Sequence, residues 1–216
     1  MVGDNTDISA LYTGACAYNA FTDYAGNCGT GNSIGVTGNG ATANTGASNI
    51  AIGSYALKSL NSTSSGDSID NVAIGVEAME SATSAYRNVA IGYRAFELNQ
   101  TQNNTVAVGW YALRESVSGG SNTALGHYTL TRTTTGASNT AVGSATLQYN
   151  TTGSYNTGVG HRALDQATTA DSNTAVGYQA LYLNTTGASN SALGVGSLDA
   201  NTTGGNNAAF GYGALG

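Results

Sequence analysis

Apolar and small residues in this chain return every seventeen positions. With Asn173 as position 1 of a unit that runs to Ser189 (NTAVGYQALYLNTTGAS), position 4 is Ile34, Ile52, Ile74, Ile91, Val108, Leu125, Val142, Val159, Val176, Leu193 and Phe210. Position 9 is Leu57, Met79, Phe96, Leu113, Leu130, Leu147, Leu164, Leu181, Leu198 and Leu215. Position 2 is mostly β-branched, from Ile50, Val72, Val89 and Val106 to Thr123, Thr140, Thr157 and Thr174. The glycine that follows position 4 falls at Gly35, Gly53 and Gly75 and then every seventeen residues to Gly211. A fixed period this short predicts an all-β fold: a parallel β-solenoid in which one repeat is one coil. Positions 2 and 4 share one face of a strand. With the Leu at position 9 they are expected to fill the coil interior. Two short strands and two turns per coil are expected.

Position 3 is almost always Ala, and with the Gly at position 5 it makes a stripe of small residues, as at Ala73 and Gly75, Ala90 and Gly92, Ala141 and Gly143, and Ala175 and Gly177. Two readings stand: the Gly supplies a positive φ for a bend, or another surface packs too closely for larger side chains. Position 1 is mostly Asn, whose stacked amides can hydrogen-bond along the axis. The N-T-T-G segments at Asn150–Gly153, Asn184–Gly187 and Asn201–Gly204 have turn chemistry. Residues 1–30 read as a cap and a degenerate first coil, and residues 31–216 as the solenoid. An insertion within Asn61–Asp70 is expected to leave a corner as a loop. Gly216 falls midway through a coil, so a downstream part, a covering neighbour or end-to-end stacking of subunits is expected.

Composition narrows the function. Gly 31, Pro 0 and 8% charged residues fit neither a disordered linker nor collagen. A net charge of −6 with six basic residues argues against nucleic acid or an anionic membrane as partner. No apolar run is long enough to span a membrane, and Met1–Ala10 lacks the basic start and apolar core of a secretory leader. Cys16 and Cys28 could form a disulfide or serve as small core fillers.

Nucleophile–base pairs and metal-ligand spacings are absent from the sequence, so the expectation is a protein that is not an enzyme and needs neither metal nor cofactor. His127 and His161 both occupy position 6 and follow the repeat. Positions 6 and 7 collect aromatics: Tyr55, Tyr93, Trp110, Tyr111, Tyr128, Tyr178 and Tyr212. These are candidates for contact with a glycan or a partner, or for a stabilising ladder. The Thr pairs at positions 13 and 14, such as Thr151 and Thr152, raise an ice-binding array as an alternative. Asn61, Asn99, Asn103, Asn150, Asn184 and Asn201 head N-x-[ST] sequons.

The segments Asn71-Val72-Ala73-Ile74-Gly75 and Asn88-Val89-Ala90-Ile91-Gly92 resemble the core of YadA-like head repeats in trimeric autotransporter adhesins, and the form with A-L and N-T-T-G is similar to repeats of phage tail fibres. The likeness spans about residues 31–216. It implies a left-handed β-roll, three chains around an axis, and an extracellular role in adhesion or as a fibre shaft, on a virion or a microbial surface. The rivals are a self-assembling extracellular filament and a glycan- or ice-binding module. The coil here is longer than the adhesin head repeat, and no heptad stalk or anchor accompanies it.

Overall fold

The computed structural model describes residues 34–36, 49–60 and 69–216; Cys16, Cys28 and the reading of residues 1–30 lie outside them, as does most of the insertion. Eleven three-residue strands form one parallel sheet in chain order: β1 (Ile34–Val36), β2 (Ile50–Ile52), β3 (Val72–Ile74), β4 (Val89–Ile91), β5 (Val106–Val108), β6 (Thr123–Leu125), β7 (Thr140–Val142), β8 (Thr157–Val159), β9 (Thr174–Val176), β10 (Ser191–Leu193) and β11 (Ala208–Phe210). From β2 onward each strand pairs position for position with the next, so Val89, Ala90 and Ile91 stand beside Val106, Ala107 and Val108. The solenoid is therefore present, one coil per repeat. At β1 the register differs from the sequence expectation. Ile34 pairs with Ile50, Gly35 with Ala51 and Val36 with Ile52, so Gly35 sits at position 3, not 5.

One strand per coil is formed among the described residues, not two. The backbone explains why. Beyond position 4 the chain alternates through positive φ at positions 5, 7 and 9, as at Gly143 (127°), Ala145 (56°) and Leu147 (52°). An extended ladder cannot run through such residues. The coils still bond to one another there: Gly143 N–H donates to Leu125 O (2.8 Å), Ala145 N–H to His127 O (2.9 Å), and Leu147 N–H to Ala163 O (3.0 Å). Holding Leu in the left-handed region costs about 1–2 kcal/mol per residue, a cost met by burying its side chain.

The interior corrects the sequence reading more deeply. Ala at position 3 and Leu at position 9 are buried, with the Ala at position 8. Val, Ile and Leu at positions 2 and 4 face outward; Ile52 is 41% exposed and Leu193 49%. The stripe of Ala73, Ala90, Ala141 and Ala175 therefore lines the coil interior and does not receive a partner chain. A seventeen-residue coil is narrow, and Leu from position 9 fills the space opposite the strand, leaving room there for a methyl group only. The Gly at position 5 answers to its own stack. A Cβ on Gly75, Gly92, Gly143 or Gly177 would lie 2.3–2.7 Å from the carbonyl oxygen of the glycine one coil on.

The Asn column behaves as its chemistry predicts. Asn139 donates from its main-chain N–H (2.8 Å) and Nδ2 (3.2 Å) to Asn122 Oδ1, and Nδ2 also reaches Gly153 O (2.9 Å) on the far side of its own coil. Asn156 repeats this on Asn139. Each amide thus ties the strand to the opposite corner and to the coil before it, entirely buried. Thr105 breaks the column. Its N–H still donates to Asn88 Oδ1 (3.0 Å), but its own hydroxyl turns to Asn103 O (3.2 Å) and offers nothing to Asn122.

Among the described residues no helix is long and apolar enough to cross a membrane.

Candidate aromatic flank

Positions 6 and 7 follow the Gly that ends each strand, where alternating φ turns one side chain outward and the next partly inward. The repeat delivers these side chains to one flank at a constant rise. Where successive coils carry rings, the rings stack. Tyr93, Trp110, Tyr111 and Tyr128 come together with His127: Trp110 lies 4.9 Å from both Tyr111 and His127, each at 22° between planes, and Tyr111 lies 5.5 Å from Tyr128 at 23°. Tyr93 caps the group, 5.5 Å from Tyr111 and 6.3 Å from Trp110. Tyr178 stands apart, stacked on His161 at 5.5 Å and 11°. Tyr55 and Tyr212 join neither group. The sequence shows both histidines at position 6, following the repeat, but not that they extend the ring stacks.

A charged network borders the first group. Lys58 binds Glu80 (2.8 Å), Arg114 binds Glu97 (2.8 Å), and Arg94 bonds Glu77. The hydrogen bond to Glu77 holds the Arg94 guanidinium's pKa above its ordinary value, as the bond to Glu80 does for Lys58. Glu77, Glu80 and Glu97 have oxygens within 4.8 Å of one another, yet each is matched by a cation, which makes this an ion-pair network and not a cation cradle. All six basic side chains (Lys58, Arg87, Arg94, Arg114, Arg132 and Arg162) also lie over a tyrosine ring, at 4.6–5.6 Å from its centroid. The cationic surface is thus already engaged with ring faces.

The ring column has three gaps among the described residues. Two fall at Val76 and Glu77, between Tyr55 and Tyr93, and at Ser144 and Ala145, between His127 and His161. The third falls at Val195 and Gly196, between Tyr178 and Tyr212, and opens a surface groove of about 340 Å³ whose lining includes both tyrosines and Asp199.

At the Thr corner, position 13 is committed to the stack: Thr151 Oγ1 donates to Thr168 O (2.9 Å) and Thr168 Oγ1 to Thr185 O (3.1 Å). Only the position-14 hydroxyls, such as Thr152 and Thr169, form an exposed column, where a flat array would need two. The sequon asparagines Asn99, Asn150 and Asn184 are buried, and the amides of Asn150 and Asn184 donate to Gly153 O and Gly187 O.

No protein-family model, curated protein or solved structure matches the chain.

Proposed function

We propose that this chain is a fibre segment: a left-handed β-roll, three copies of which pack around a common axis, serving adhesion or host-surface attachment from a virion tail fibre or a microbial cell surface. The observation that carries this reading is the outward face of the sheet. Positions 2 and 4 set two adjacent columns of Val, Ile, Leu and Thr against solvent, with Ile91, Val106, Leu125 and Val159 all exposed. Eleven strands at about 4.8 Å spacing make that face about 48 Å long. The position-4 column is apolar throughout, and a continuous apolar column against solvent marks an interaction surface; repeated on every coil, it is complementary in length to the same column on another copy. The trimer and the handedness rest on the resemblance to YadA-like repeats. The mechanism is mechanical, a stiff rod that spaces and presents a contact surface.

Mass photometry with negative-stain imaging tests the reading. A discrete three-chain rod is expected for the native chain, and the double variant Val108→Asp with Val142→Asp should fall to single chains with its circular dichroism unchanged. A native single chain, or a polymer of indefinite length, overturns the trimeric fibre; the polymer would favour the filament.

A further inference from the structure

We propose that the groove between Tyr178 and Tyr212 is a binding site for a neutral hexopyranose. The inference goes beyond the fibre reading, since one chain supplies the whole groove. Four observations build it. First, Tyr178 has one face covered by His161 at 5.5 Å, which fixes the ring and leaves its other face toward the gap at Val195. Tyr212, two coils on, lines the opposite wall. Two coils span about 9.5 Å. A ring slipped between two faces needs about 3.5–4 Å on each side, so the gap admits a single ring layer.

Second, the opening reflects side chains left out, not a backbone requirement. Position 7 holds Tyr, Glu, Arg, Ala or Gln in every earlier described coil, at φ of 52–60°. Gly196 (63°) and Gly213 (59°) adopt the same conformation without needing to be glycine. A Cβ on Gly196 would meet only the Asp199 carboxylate, at 3.5 Å. Third, that carboxylate lines the groove and has no side-chain hydrogen bond among the described residues, whereas Asp165, two coils earlier at the same position 10, is held by Arg162 (2.7 Å). A free carboxylate beside aromatic walls suits a ring that presents C–H groups on its faces and vicinal hydroxyls on its edge: the hydroxyls donate to Asp199 and the C–H groups rest on the negative ring faces.

Fourth, charge selects against the alternatives. The net charge is −6, and every basic side chain lies over a tyrosine. Nucleotides, sialic acids and uronic acids would meet an acid with no cation to balance them.

The test is titration of the full chain with methyl glycosides of glucose, galactose and mannose, read by saturation-transfer NMR, alongside Gly196→Gln, Asp199→Asn and Tyr178→Ala. Gly196→Gln restores the residue that Gln179 holds one coil earlier, so its melting temperature should match the native chain while it plugs the groove. Saturable binding of at least one glycoside is expected, weakened about tenfold or more by each variant, with glucuronate binding less well than glucose. Absence of saturable binding to all three glycosides overturns the proposal, as does Gly196→Gln binding as tightly as the native chain. A change of oligomeric mass in Gly196→Gln without sugar binding overturns it in favour of a contact between copies.

Discussion

At the residue scale, direction is what the structure adds. A period-two strand groups positions 2 with 4 and 1 with 3, but the alternation does not say which pair points inward. The larger residues usually do, and here they do not, because the interior opposite Leu147 accommodates Ala141 and no more. Leu147→Ala should cost about 2–5 kcal/mol and Ala141→Val about 1–3 kcal/mol through overpacking, both measured by urea unfolding. Were Ala141 on the outer face, the valine would be tolerated in single chains. The Leu column and the Asn column were legible because each allows one solution: a large aliphatic group every seventeen residues must be buried, and a buried amide must find partners along the stack. The outward turn of Val and Ile was not legible, since it depends on the width of the coil, which no single residue encodes. The Asn at position 1 was the overlooked clue, for its hydrogen-bonded amide shares the strand face with Ala.

At the scale of the element, the turn segment after each strand was expected to hold a second strand and instead alternates its backbone. That alternation sends positions 6 and 7 to the flank, and at position 10 the Asp165 side chain is fully buried. Burial raises the Asp165 carboxyl above its ordinary value of 3.8, against the opposing pull of Arg162. A folded-state pKa above the unfolded one lends stability that is complete below the unfolded value and is lost as pH rises through the folded one. Asp165→Asn should therefore gain stability relative to the native chain as pH climbs from about 3 to about 7, read as the difference between the two melting temperatures. A constant difference across that range would show that burial does not govern this carboxyl. The ring stacks belong to this scale also. Their membership was readable from position 6 and 7 residue types, but the gaps between them gained meaning only when coils were seen directly above one another.

At the scale of the whole molecule, adjacent coils along the described stretch from Asn71 onward are joined by main-chain bonds, by side-chain contacts at the corners and flank such as Thr151 Oγ1 to Thr168 O, and by a buried amide column interrupted at one place. The interruption lies between the coils headed by Thr105 and Asn122, where the stacks of Trp110 on His127 and of Tyr111 on Tyr128 bridge the same two coils. Thr105→Asn should close it and raise the melting temperature by the equivalent of about 1 kcal/mol, and in the native chain the Val106 amide, which bonds Asn122 O across this joint, should exchange with deuterium faster than its counterparts Val89 and Thr140. The break divides the amide column into two shorter runs of asparagines, held together across it by the main chain and the rings. A single threonine thus acts as a fault line in the amide column, and the rings on the flank splint it.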